Sequence, residues 1–449
     1  MSKSVHLEDI PYSADASDLF ERIRDLPGAA LLDSSFPHST RGRFDIMAAE
    51  PLEGVLPPCP TTDGAQASAG YFNDLAAFHR EYYAGIQPVS QDIPFCGGLL
   101  GYIGYDCGNQ LYDIDPPSTG TLPNASLGAY DWCVIQDHLL RRAALVALPS
   151  LSAARRNDLL QRLRRAPHPA TDDFALLQPF SPDIDETAYR DAFNKIEAYI
   201  LAGDCYQVNL AQRFSAPCTG DPWHAYRRLR PVAGAPFSAY IALPDRGTLL
   251  SLSPERFLSL HGQWVETSPI KGTRPRFSDP QSDRLAEREL RASAKDRAEN
   301  LMIVDLLRND LGRSCVPGSI NVDRLFEVQK FATVHHLVST IRGELSPDRG
   351  AWELLRDSFP GGSITGAPKK RSMEIIAELE AHNREAYCGS VLYVSADGRM
   401  DSNIAIRSFA CNDDSIHCWA GGGIVADSRW QDEYQECWDK VGKLFAALQ

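Results

Sequence analysis

The stretch from Glu186 to Ala211 constrains the fold of this chain more tightly than any other. Tyr189, Phe193, Ile196 and Ile200 recur at spacings of three and four, which puts them on one face of a helix over Glu186 to Ala202. Gly203 supplies the stop, because glycine adopts the left-handed backbone that other residues resist. The period then changes to two: Tyr206, Val208 and Leu210 alternate with Gln207, Asn209 and Ala211, the pattern of a strand with one apolar and one polar face. Just upstream, Pro167, Pro169, Pro179 and Pro182 follow a helix expected from about Ser152 to Arg165. Residues 166–182 therefore read as a linker between an N-terminal region, 1–165, and a larger unit, 183–449.

The N-terminal region reads as an α/β mixture rich in turns. Ala29 to Ser34 has the look of a buried strand, and Cys96 to Tyr105 the small-residue density of a closely packed one. Its glycines fit neither the dinucleotide fingerprint nor a P-loop. Tyr130 to Val134 and Ala143 to Leu148 read as a strand pair. With 449 residues the chain can bury a large core, and a net charge of −14 argues against a nucleic-acid binder while leaving room for a basic pocket that takes a small anion. Eleven cysteines without a CxxC pair suit buried thiols in a reducing compartment and give no zinc site. No apolar run has the length of a membrane helix or signal peptide, so a cytoplasmic protein is expected.

Chemistry concentrates in a few segments. In Ser268-Pro269-Ile270-Lys271-Gly272-Thr273-Arg274-Pro275-Arg276, Lys271 sits at a strand end running into a tight turn, among positive residues that would favour its neutral, nucleophilic form. Glu255 precedes it by sixteen residues, an interval that fits two short strands joined around His261-Gly262 and would bring carboxylate and amine together. Ala298 to Gly312 reads as a helix with Glu299 near its start, where the helix dipole alone is sufficient reason for an acid. On a C-terminal helix from about Gln431 to Leu448, Tyr434, Trp438, Val441 and Phe445 form a core face. Glu433, Glu436 and Lys440 line another, either a solvated face or, with Glu299, a magnesium site. Phe359 to Lys369, leading into a helix at Met373 to Leu379, and the glycines after the strand His417 to Trp419 could cradle anions by backbone amides. Arg407, on an alternating strand from Ile404 to Phe409, calls for an anionic partner, and His336 lies in an apolar setting more typical of core than of catalysis.

Together these segments resemble the chorismate-utilising enzymes, which include component I of anthranilate synthase, component I of aminodeoxychorismate synthase, and the isochorismate and salicylate synthases. The resemblance runs strongly from about Asp183 to the C-terminus, through Glu299 to Gly312 and Gly362 to Lys369, and more weakly through Leu31 to Ser34 and Gly101 to Asp106. It implies an α+β fold of large antiparallel sheets packed as a sandwich with helices outside, and a chorismate-binding catalytic domain over 183–449. It implies magnesium held by Glu299 and Glu436 with Glu433 close by, and a pyruvyl carboxylate met by Tyr387, Arg407 and the backbone of Gly421 and Gly423. Ser363 and His336 would lie near the ring carboxylate and the departing hydroxyl, Lys440 at the magnesium end, and Glu255 would be the general acid.

Two positions separate the branches. Isochorismate and salicylate synthases carry a water-activating lysine where this chain has Gln207. Anthranilate synthases read Pro-Ile-Ala-Gly-Thr where it has Pro-Ile-Lys-Gly-Thr. Glutamine there argues against water as the incoming nucleophile, and the lysine form resembles the aminodeoxychorismate branch, in which the residue matching Lys271 is the proposed covalent nucleophile; anthranilate synthesis is the alternative. No Gly-x-Cys-x-Gly elbow is present, so ammonia is expected from a separate glutamine amidotransferase subunit. Some relatives bind tryptophan near the segment matching Leu32-Asp33-Ser34, which makes a bound tryptophan a further expectation.

Overall fold

The computed structural model describes residues 3–39, 41–59, 64–87, 90, 92–115, 120, 122–166, 173–243, 247–331 and 334–449. Two large antiparallel sheets form its centre. The first runs in the order 175–176, 207–219, 415–424, 408–411, 247–253, 237–243, 30–33, 44–48, 132–137, 142–147, 6–10, with the short strands 181–182 and 366–367 also paired to 207–219. The second runs 270–275, 334–344, 264–267, 256–261, 400–403, 390–395, 98–103, 125–130, with 321–330 also paired to 334–344. Helices lie outside, among them Trp430–Leu448 against the strand Ser415–Ile424 and Ala294–Leu311 against the edge of the second sheet. This is the α+β sandwich architecture expected from the resemblance. None of the eleven cysteines is in a disulfide, and no described helix is long and apolar enough to cross a membrane.

The strongest periodic signals are realised closely. The helix Glu186–Ala202 buries Tyr189, Phe193 and Ile196, and Gly203 caps it at φ +85°. The helix Ala153–Arg164 has Ser152 as its N-cap, and strands Trp132–Asp137 and Arg142–Ala147 pair through Trp132 and Ala147. Other expectations are modified by tertiary packing. The strand Gln207–Thr219 is not half-exposed: Gln207 and Asn209 are buried along with Val208 and Leu210, and Tyr206 is the exposed residue. The helices Glu186–Ala202 and Lys369–Leu379 both pack against this strand.

The N-terminal region contributes strands to both sheets, so it shares them with the larger unit instead of only packing on it. Within the expected linker, Pro167 and Pro169 lie outside the described residues, while Ala175–Leu176 and Ser181–Pro182 pair with the strand 207–219. Arg407 is not on a continuous strand. Strands Met400–Asn403 and Ser408–Cys411 flank it, and it occupies the left-handed region at φ +52°, a conformation a bulky residue adopts only when its surroundings hold it there. The glycines Gly421 to Gly423 do not follow a strand but lie within one, Ser415–Ile424.

Candidate active site

Lys271 stands on the strand Ile270–Pro275, where the pairing to Val334–Glu344 is bulged between Ile270 and Thr273. Gly272 makes that bulge possible at φ +82°, and a Cβ there would lie 2.9 Å from the Asp296 side chain. The half-buried Lys271 ammonium donates to the Ser363 carbonyl at 3.3 Å. Burial lowers its pKa; Glu299 and Glu255 oppose the shift and Lys440 adds to it. The nearby arginines are not the cause expected from sequence. Arg256 is paired with Asp401 at 2.9 Å, Arg274 with Asp296 at 2.9 Å and Arg276 with Asp283 at 2.7 Å, so each is neutralised locally.

Glu255 follows the strand Gly247–Ser253, and the hairpin Arg256–His261 with Trp264–Thr267 returns the chain toward Lys271. Its carboxyl is buried, and burial pushes its pKa up to about 7 against the opposing effects of Lys271 and the Ser363 hydroxyl. Near neutral pH such a group still holds a proton to give. His336 is a different case. Thr273 Oγ1 lies 2.8 Å from its Nδ1, and burial, then the charge of Arg407, press its pKa down to about 3. It is a neutral hydrogen-bonding ring across the physiological range.

The acidic end of the cavity draws on two helices. Ala294–Leu311 begins at its N-cap Ser293, so Glu299 sits in the second turn, beyond the reach of the dipole at the helix start. Its carboxylate is 4.0 Å from Lys295. On Trp430–Leu448, Glu433 is buried and accepts from the Ser428 hydroxyl at 2.7 Å. Glu436 and Lys440 are more exposed and paired at 2.5 Å, and Lys440 also donates to the Gly421 carbonyl at 2.7 Å. Burial raises the pKa of both Glu299 and Glu433, and the neighbouring charge of Glu436 adds to both shifts.

A Cβ on Gly422 would come 2.8 Å from Glu433 Oε2 and 3.2 Å from Glu436 Oε1, so these carboxylates converge over a position kept open by glycine. Among the described residues no group of three His, Cys, Asp or Glu side chains gathers closely enough to hold an ion alone. The converging Glu433 and Glu436 oxygens are of the donor type that a hard cation such as magnesium takes, with water and ligand oxygens in its other positions.

Beside these acids, Gly421 and Gly423 present backbone amides suited to an anion. The amides of Asn209 and Ala211 are bonded to Thr365 O and Glu380 Oε1, both at 2.8 Å. These residues therefore form non-hydrogen-bonded pairs with Gly423 and Gly421, whose own N–H groups point away from the strand Gln207–Thr219. The pairing of Ser408–Cys411 with this strand stops at Cys418, leaving those amides to the cavity. Arg407 lies beside them, half-buried, with no carboxylate partner among the described residues; burial lowers its pKa. Tyr387, buried, stacks parallel to Trp419 at 6.4 Å. The helix expected from Met373 starts at Lys369, whose ammonium donates to Asp310, Ser358 O and Pro360 O at 2.8–2.9 Å.

One cavity of about 650 Å³ is lined by Glu255, Lys271, Glu299, His336, Ser363, Tyr387, Arg407, Gly421, Gly423, Glu433, Glu436 and Lys440. Gln207 is the one expected site residue outside that lining. It is wholly buried against Gly423, and neither of its amide atoms has a hydrogen-bond partner. Asn209, Trp419 and Asp296 also line the cavity and were not singled out from sequence. Asn209 shares the period-two face of Gln207, a signal that was present.

A sequence model for chorismate binding enzymes matches residues 60–446. The chain belongs to the chorismate-binding enzyme family. It is 43% identical to aminodeoxychorismate synthase component 1 of Klebsiella aerogenes over 98% of both chains. It is 43% identical to the protein of the same name from Escherichia coli K12, over 97% of this chain and 96% of that one. Among solved structures, anthranilate synthase component I from Streptococcus pneumoniae TIGR4 superposes with a TM-score of 0.77 at 32% identity, covering 91% of this chain and 93% of that one.

A second cavity of about 360 Å³ lies beside the strand Ala30–Asp33, lined by Leu32, Asp33, Phe44, Pro236 and Ser238 among others. Ser34 does not face it: both its amide and hydroxyl are committed to Asp45, at 2.8 and 2.7 Å.

Proposed function

We propose that this chain is component 1 of an aminodeoxychorismate synthase, converting chorismate and ammonia to 4-amino-4-deoxychorismate, a precursor of para-aminobenzoate and folate. The observation that carries the reading is Lys271 in the cavity with the buried acid Glu255, in a chain 43% identical over nearly its whole length to proteins of that name. Neutral Lys271 attacks ring carbon two. The two ring double bonds shift, and the carbon-four hydroxyl leaves as water with the proton of Glu255. The lysine nitrogen then returns a proton to Glu255. Ammonia attacks carbon four, the double bonds shift back, and the lysine departs with a proton from the incoming nitrogen. One difficult substitution becomes two easier ones.

Arg407, Tyr387 and the amides of Gly421 and Gly423 hold the pyruvyl carboxylate, while Ser363 and neutral His336 orient the ring. Gln207, an amide and not an amine, does not activate water. Glu299 and Glu436, with Glu433 behind them, would hold magnesium, which would supply Lewis-acid stabilisation of the ring carboxylate. A separate glutaminase subunit supplies the ammonia, and the cavity beside Leu32 and Asp33 is the candidate place for a bound tryptophan.

Product analysis tests this reading. Purified protein with chorismate, magnesium and ammonium is coupled to a lyase that releases 4-aminobenzoate, and anthranilate is followed by fluorescence. Para product that disappears on chelation supports the assignment; anthranilate alone replaces it with the ortho-aminating reading.

A further inference from the structure

One ion pair beneath the cavity ties several segments of its wall together. Arg384 is about 1% exposed and lies between the helix Lys369–Leu379 and the strand Ser390–Ser395. Its Nε and Nη2 donate to the two oxygens of Glu380 at 2.8 and 2.6 Å. Nη1 donates to the Ile364 carbonyl at 2.9 Å, and Nη2 to the Asn209 carbonyl at 3.0 Å. The guanidinium also lies 4.6 Å from the Tyr105 ring centre and 5.9 Å from that of Tyr387. Glu380 passes the connection on by accepting from the Ala211 amide at 2.8 Å.

Each contact ends one step from a group of the site. Ile364 follows Ser363, whose carbonyl receives Lys271. Asn209 lines the cavity, and its orientation, with that of Ala211, turns the Gly423 and Gly421 amides toward the ligand. Tyr387 lies on the same short segment as Arg384, whose carbonyl accepts the Tyr387 amide at 2.8 Å. A planar fork with several fixed donors can hold three chain segments at set distances, which a lysine ammonium cannot do.

We propose that Arg384, seated on Glu380, is a positioning residue that fixes the spacing between the Ser363 loop, the strand bearing Asn209 and Tyr387, and thereby the approach of Lys271 to the substrate. It touches no substrate itself. The inference rests on the cavity being the site of chorismate turnover, whichever isomer is formed.

The test is steady-state chorismate consumption by the full chain with magnesium and ammonium, with products separated in the same assay. Arg384→Lys keeps the charge on Glu380 and loses the fork. Its kcat should fall about tenfold or more while KM stays within about threefold, since binding contacts remain and alignment is lost. Ser363→Ala should lower kcat less in the Arg384→Lys background than in the wild type, because both act through one loop. Should Arg384→Lys not fold, Glu380→Gln, which still accepts the Ala211 amide, should show the same kcat-selective loss. Additive effects, a rise in KM matching the fall in kcat, or unchanged kcat in a folded variant overturns the proposal. The identity of the product, para or ortho, bears separately on the assigned reaction, because the kcat comparison is made on chorismate consumed.

Discussion

Two regions of this molecule take charge out of solvent and treat it in opposite ways. Beneath the strand Ala30–Asp33, Asp33 receives Arg230 at 2.5 Å, the Tyr226 hydroxyl at 2.8 Å and the Ser35 amide at 2.6 Å. Arg230 also reaches Asp15 and the Phe36 carbonyl, both at 2.7 Å, and Asp33 holds its pKa well above the usual value. In the cavity, Lys271 has only a 3.3 Å carbonyl contact and Arg407 no carboxylate partner among the described residues. Glu255 keeps a pKa of about 7 because nothing there fully compensates its burial. Saturated partners make charge structural. Incomplete ones leave it available to a ligand, at a cost in stability that the surrounding sheets absorb.

The sharpest way to break the comparison is to delete one charge on each side. Lys271→Ala should lower para amination by on the order of 10³-fold or more, with no loss of thermal midpoint, since few bonds are removed; an anthranilate-type product can emerge in its place. Turnover close to wild type would remove the covalent role. Asp33→Ala should do the reverse, destabilising the fold by about 3–5 kcal/mol in urea titration and leaving kcat per folded molecule near wild type. If Asp33→Ala proves as stable as the wild type, the paired charges are not structural in the sense argued here.

Smaller changes sharpen the contrast. Glu255→Gln should cost about 10²-fold in kcat. With its pKa raised to about 7, Glu255 holds its proton below that pH and loses it above, so the wild-type rate should fall as pH rises through about 7. The glutamine variant should lack that limb, and an identical alkaline limb in both proteins would assign it to another group. Least severe is Gly422→Ala, whose methyl would enter the space between Glu433 and Glu436. The magnesium concentration for half-maximal activity should rise about tenfold, and an unchanged requirement would place the ion elsewhere.

Where local signals governed the backbone, sequence reading located the elements well. The helix Glu186–Ala202 and its Gly203 cap follow from periodicity and glycine chemistry alone. The run Ala298 to Gly312 starts the helix bearing Glu299 four residues late; Ser293 and Asp296, a serine cap followed by an acid in the first turn, mark the true start, from which the dipole no longer explains Glu299. The alternation of its neighbours puts Arg407 on a strand, yet its backbone is left-handed, in the gap between the strands Met400–Asn403 and Ser408–Cys411. Gly421 to Gly423 read as lying beyond the strand because glycine usually weakens one. Their actual reason is close approach, by the backbone at Leu210 and Ala211, the carboxylates of Glu433 and Glu436, and the amide of Gln207. Such approaches are set by packing between segments distant in sequence, and no local pattern encodes them. The pairing of each arginine near Lys271 with its own acid was hidden for the same reason.

The central claim is that Lys271 becomes covalently joined to the ring. Rapid-quench intact-protein mass spectrometry, with chorismate and magnesium but no ammonium, tests it directly. A species heavier by chorismate less one water, mapped to Lys271 and discharged on adding ammonium, is the predicted result. Full turnover with ammonium in a protein that never carries such an adduct, or the same adduct in Lys271→Ala, would contradict it.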